Sequence, residues 1–187
     1  MPILGVLASA ITGNLVTNAY ESIATVTVGS GGSSTISFTS IPSTYKHLQV
    51  RVFAQANRAG YDFDNLIYTF NNDTSVNYAN YFLQGNGSAA SSAGGTDSSA
   101  YSGTIAASIG TNIFTPSTID ILDYANTSKY KATRTLAGVD ANGSGYINFI
   151  YNGWFSTSAI TTITLKLQSG TGFNQYSSFA LYGIKGA

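Results

Sequence analysis

Cysteine is absent from this sequence, which excludes disulfides and thiolate metal sites. Charge is scarce. Only 9% of the residues are Asp, Glu, Lys or Arg, against about 25% in an ordinary soluble domain. Eight basic residues balance eight acidic ones, so the formal net charge is +0. With no basic stripe there is nothing to neutralise phosphates, and nucleic-acid binding is excluded as an expectation. A chain without net charge also lacks the repulsion that keeps copies apart, which favours association. No apolar run is long enough to span a bilayer as a helix, so membrane insertion is not expected. Histidine occurs once, and neither a nucleophile elbow nor a phosphate-binding glycine loop is present.

In their place the chain carries 13 Tyr, 10 Phe and 20 Gly among abundant Ser, Thr and Asn. No long segment has the helical apolar period, and β-branched and aromatic residues alternate with period two instead. Strands are predicted over 20–28, 34–39, 45–56, 65–70, 78–83, 101–107, 118–124, 130–139, 146–155, 160–168 and 177–184. The first two, separated by Gly29, Gly31 and Gly32, read as a hairpin. In 45–56, Leu48, Val50 and Val52 read as core, and Tyr45, His47, Gln49, Arg51 and Phe53 as the opposite, polar face. In 160–168, Ile163, Leu165 and Leu167 read as core. About ten short strands with Gly, Asn and Ser turns predict an all-β chain, a single antiparallel β-sandwich of jelly-roll type over 20–187. Residues 85–100 have almost no bulky side chain and read as either a mobile surface loop or a segment ordered by a neighbouring subunit.

Residues 1–19 form an uncharged arm. Ala8-Ser9-Ala10 imitates a secretory cleavage site, but a basic leader is missing and the apolar run is short. The arm is therefore read as retained. Its apolar residues Ile3, Leu4, Val6, Leu7 and Ile11 need either a partner surface or the chain's own domain.

Candidate chemistry is thin. His47 lies on the polar face with no orienting carboxylate or nucleophile placed beside it by the sequence. Asp62, Asp64, Asp73, Asp97, Asp120, Asp123 and Asp140 could supply a glycosidase pair or a calcium site, but Asp62 and Asp64 next to Asn65, and Asp73 after Asn71 and Asn72, also read as turn residues. No catalytic residue, metal ligand or cofactor is assigned. The aromatic residues either pack in the core and at interfaces or offer stacking platforms for sugar rings. The candidates for glycan or subunit contact are Tyr151, Trp154, Tyr61 and Tyr81.

Residues 40–55 (SIPSTYKHLQVRVFAQ), 152–170 (NGWFSTSAITTITLKLQSG) and 173–187 (FNQYSSFALYGIKGA), with the opening MPILGVLASAITGN, resemble a family of small virion structural proteins of marine and freshwater tailed bacteriophages. The resemblance covers most of the chain and is weakest in 85–100. It carries no catalytic motif. It implies a non-enzymatic protein of the virion surface, most simply a capsid decoration or cement protein. Such a protein would be a homo-oligomer, expected as a trimer, whose arm anchors it on the major capsid protein or another virion protein. The alternative is a tail-fibre or appendage adhesin module that binds host surface glycans.

Overall fold

The computed structural model describes residues 19–141 and 143–186. They form twelve strands and no helix. The strands are β1 (Tyr20–Thr27), β2 (Thr35–Phe38), β3 (His47–Ala54), β4 (Phe63–Phe70), β5 (Tyr78–Gly85), β6 (Ala90–Asp97), β7 (Ala100–Ala106), β8 (Thr115–Leu122), β9 (Lys131–Asp140), β10 (Gly145–Trp154), β11 (Ile163–Leu167) and β12 (Ser178–Ile184). An eight-stranded sheet runs in the order β1-β12-β3-β8-β9-β10-β5-β6, and a four-stranded sheet in the order β2-β11-β4-β7. Neighbouring strands are antiparallel throughout both sheets.

Every strand segment expected from the sequence overlaps one of these strands, but two expectations need correction. The first two strands are not a hairpin. β1 pairs with β12 in the large sheet, whereas β2 pairs with β11 in the small one. The glycines between them carry the chain across from one sheet to the other. Gly32 has φ +69° and its N–H closes a turn on the Gly29 carbonyl at 3.0 Å. The buried Val28 is tied instead to the entry of β12, donating to Ser177 O at 2.8 Å and accepting from Tyr176 N at 2.9 Å. The second correction concerns residues 85–100, which contain β6 paired with β5 from Gly85↔Ala90 to Tyr78↔Asp97.

A single hydrophobic cluster joins the two sheets. The large sheet supplies Leu48, Val50 and Val52 from β3, Ile119 and Ile121 from β8, and Phe179 and Leu181 from β12. The small sheet supplies Ile36 and Phe38, Leu66, Tyr68 and Phe70, and Ile163, Leu165 and Leu167. Strict alternation of buried and less buried positions in β3, β9 and β11 reflects the period-two geometry of a strand with one face on the core.

A different contact holds the other half of the large sheet. β7 is an edge strand of the small sheet and packs on β8, β9 and β10. Its free edge faces the protein interior, where every backbone N–H and C=O needs a partner. Side chains of the large sheet supply them. Asn152 acts as a surrogate strand for Tyr101: its Oδ1 accepts the Tyr101 N–H at 3.0 Å and its Nδ2 donates to the Tyr101 carbonyl at 3.0 Å. Asn148 Oδ1 accepts from Thr104 N at 3.0 Å, and Thr115 Oγ1 from Ala106 N at 2.8 Å. Tyr68 and Thr133 share a hydroxyl hydrogen bond of 2.6 Å, and Ser102 and Ser117 one of 3.0 Å. The approach is close enough that Gly103, at φ +111°, could not carry a Cβ, which would lie 2.9 Å from that of Ala137.

Replacing Asn152 with Leu keeps the branched shape, adds some bulk and removes these bonds. Tyr101 N–H retains Asn80 Oδ1 at 3.2 Å, but its carbonyl is stranded. The variant is expected to lose about 1–3 kcal/mol, the penalty for one unpaired buried polar group. The check is a lower urea midpoint at unchanged m-value. An unchanged midpoint would refute the role given to this side chain.

Candidate functional site

The outward face of the eight-stranded sheet has two unlike halves. On β12, β3 and β8 the polar groups bind one another. The Arg51 guanidinium lies over Tyr20 and Tyr182 at 5.5 and 5.1 Å, and its Nε donates to Gln49 Oε1 at 2.8 Å. Gln49 Nε2 donates to Asp120 Oδ1 at 2.8 Å, and Arg134 Nε to Asp120 Oδ2 at 2.9 Å.

On β9, β10 and β5 polarity is inverted. Thr133, Thr135, Asn148 and Asn152 are buried, whereas Leu136, Ile147, Phe149, Tyr151, Tyr81 and Leu83 point outward and are 47–65% exposed. Strand register places Leu136, Phe149 and Leu83 side by side, with Tyr151 opposite Tyr81 in the next row. This is a contiguous apolar surface without a cover among the described residues. Monomeric soluble proteins seldom leave such a surface open unless it is a contact site.

The apolar face runs into the edge strand β6. All eight of its residues are exposed, and residues 90–96 are uncharged and free of Pro. Natural edge strands usually prevent further pairing with Lys, Pro, bulges or covering loops, and among the described residues no strand pairs with the outer side of β6. Pairing with β5 and a ring from across the ladder hold it in place. A Cβ on Gly94 would lie 2.2 Å from Tyr81 Cδ1, so the Tyr81 ring occupies the space above Gly94. That packing compensates for the missing side chains and explains why a segment with so little apolar surface is a strand.

The sequence-derived candidates separate accordingly. Tyr151 and Tyr81 come together on the apolar face. Tyr61 lies apart, in the loop before β4, with the Arg58 guanidinium 3.8 Å from its ring centre. Trp154 must be withdrawn as a contact candidate. It is 3% exposed, its ring packs against Phe70 and Tyr78 at 5.6 and 6.4 Å, and its Nε1 donates to Asp73 Oδ2 at 2.8 Å. Position 154 faces inward because it continues the buried row of β10 through Ile150 and Asn152. Ile3, Leu4, Val6, Leu7 and Ile11 lie outside the described residues.

Leu83, Leu136, Ile147 and Phe149 are not among the sequence-derived candidates, because a period-two reading takes apolar positions for core. The usable signal was the pair Asn148 and Asn152 alternating with apolar residues on both sides.

Several of the groups considered for catalysis are engaged in structural bonds. His47 Nδ1 accepts the Asp123 N–H at 2.9 Å. Asp123 pairs with Lys46 at 2.8 Å and with Lys129. Asp64, 2% exposed, accepts from Asn65 N at 2.7 Å and Gly170 N at 2.6 Å and so fixes the turn after β11. Among the described residues no three acidic or histidine side chains converge as a metal-ligand set. No family model, curated protein or solved structure matches this chain.

Asp73 gives a test of this architecture. Hydrogen bonds from Asn77, Trp154 and Ser75 lower its pKa to about 2. A carboxylate stabilised in the folded state contributes fully above its unfolded value near 4, and that contribution is lost as pH falls from about 4 toward 2. Asp123, held to about 2 by Lys129 and Lys46, titrates in the same window. Acid unfolding followed by fluorescence of the one tryptophan should therefore be shallower below pH 4 in Asp73→Asn, without becoming flat. An identical acid limb in the variant would refute the Asp73–Trp154 contribution.

Proposed function

We propose that this chain is a non-enzymatic structural protein of a bacteriophage virion, with its two sheets forming a jelly-roll sandwich, and that it acts as a capsid decoration protein. The observation that carries the contact function is the inverted half of the large sheet, which puts six large apolar side chains outward beside an undefended edge strand. The resemblance of residues 40–55, 152–170 and 173–187 to small virion proteins supports the setting. A second copy of the chain is the occupant of the apolar face. A formal net charge of +0 leaves copies without long-range repulsion, and closed symmetric assembly is the usual way to hide a free edge. The closed form proposed is a trimer. The uncharged residues 1–19 then remain to attach the assembly to the major capsid protein, through Ile3, Leu4, Val6, Leu7 and Ile11.

Light scattering of the purified protein is expected to give three times the chain mass of 19.5 kDa. Leu83→Glu with Phe149→Glu should reduce it to one chain mass while the β-sheet circular dichroism persists. Burying either charge at a packed contact costs about 2 kcal/mol or more, which is at least about thirtyfold in association. A wild-type monomer, or a variant that still assembles, would refute the homotypic interface.

Deletion of residues 1–13 is expected to leave a folded domain that no longer co-purifies with phage particles, whereas the intact chain is present in many copies per head. Attachment unaffected by the deletion, or a few copies confined to the tail, would overturn the decoration role.

A further inference from the structure

The large sheet extends past the small one at β5 and β6. Between this overhang and the outward side of β4 and β7 lies a cleft of about 450 Å³, lined by Asn65, Phe82, Gln84, Asp97, Tyr101 and Gln168 among others. Its size falls within the range of small-molecule sites, about 300–1,000 Å³. Two rings form its apolar part. Phe82 and Tyr101 have centroids 6.0 Å apart with their planes tilted by 60°, and both are partly exposed.

The polar groups around these rings are held by their inner atoms. Asn65 Nδ2 donates to Gln168 Oε1 at 2.6 Å, and Asn148 Nδ2 to Gln84 Oε1 at 3.1 Å. Tyr101 OH donates to Asn65 Oδ1 at 3.0 Å. Asp97 Oδ1 accepts the Ser98 N–H at 2.6 Å. Asn65 uses both of its polar atoms, whereas Gln84, Gln168 and Asp97 are each held by one, which leaves the other without a partner among the described residues. The atoms left over are Nε2 of Gln84, Nε2 of Gln168 and Oδ2 of Asp97. The cleft thus presents two amide donors and one carboxylate acceptor around an aromatic pair.

We propose that this cleft binds a neutral oligosaccharide. A pyranose ring has an apolar C–H face that suits an aromatic surface. Its vicinal hydroxyls can accept from an amide and donate to a carboxylate at the same time. An anion would meet the Asp97 carboxylate with no Lys or Arg in the lining. A purely apolar ligand would leave three polar groups desolvated and unpaired. Asp97 is the only carboxylate of the lining, whereas glycoside hydrolysis takes a pair, so the cleft holds a sugar without cleaving it. The site is separate from Tyr61, Tyr81, Tyr151 and Trp154, and it stands independently of the virion reading.

The test is a titration of the full-length, isotopically labelled chain with maltotriose, cellotriose and N-acetylchitotriose, followed by amide NMR. At least one of the three is expected to shift the backbone signals of Phe82, Asp97 and Tyr101 and the side-chain amides of Gln84 and Gln168. Asp97→Ala and Gln168→Ala, both at exposed positions, should each weaken that binding by about tenfold or more while the remaining spectrum is unchanged. The proposal is overturned if none of the three sugars shifts a signal at about 10 mM, a concentration that reveals even a weak millimolar site. Shifts that fall outside the cleft, or binding that survives in both variants, overturn it as well.

Discussion

The free edge of β7 is the constraint on which this architecture turns. A sheet edge is ordinarily left to water or covered by another strand. Here it is pressed against the face of a second sheet, where its N–H and C=O groups have neither. Two asparagines and a threonine stand in for the missing strand, with the Asn152 amide matching the Tyr101 peptide group donor for acceptor. The junction is therefore held by directional bonds, whereas the contact around Leu48, Ile119, Phe179 and Leu165 depends on apolar area. A buried polar network of this kind contributes mainly when every member is satisfied.

This constraint dictates what the outer surface looks like. Because successive residues of a strand face opposite ways, putting Asn148 and Asn152 inward sends Ile147, Phe149 and Tyr151 outward. Asn, Thr and Ser then serve the interior, and aromatic and aliphatic side chains serve the exterior. The low charge content has two sources that composition alone does not separate. One is an interior sealed by amides and hydroxyls, and the other is an outward surface of aliphatic and aromatic side chains. Several of the charges that remain are tied to neighbours, as in the Gln49–Asp120–Arg134 chain and the Lys46–Asp123–Lys129 group.

Strand existence was legible from the sequence wherever one face is apolar and the other polar. Residues 45–56 and 160–168 show this best, and their core positions are those the alternation picks out. Legibility failed in three ways, each with a physical cause. Pairing is nonlocal, so the glycine turn after β1 looked like a hairpin although its strands join different sheets. Polarity is inverted in β10, so alternation identified the strand but could not say which of its faces is buried. β6 owes its structure to a neighbouring ladder and a ring from β5, neither of which local composition encodes. The cleft was invisible for a related reason. Its residues come from β4, β5, β6, β7 and the end of β11, and only the overhang of one sheet beyond the other assembles them.

The Tyr81–Gly94 contact has one more consequence. A strand with both faces exposed has no burial pattern to decide which residue stands opposite which, and such strands are prone to slip. The outward row of β6 consists of Ala90, Ser92, Gly94 and Thr96. Gly94 is the only one of them without a Cβ, and so the only notch that admits the Tyr81 ring. Shifting β6 by two residues, the smallest slip that keeps its faces, would drive Ser92 or Thr96 into that ring. A single absent methyl group therefore fixes the alignment of the entire edge, and with it the arrangement of hydrogen-bonding groups that a neighbouring chain would meet.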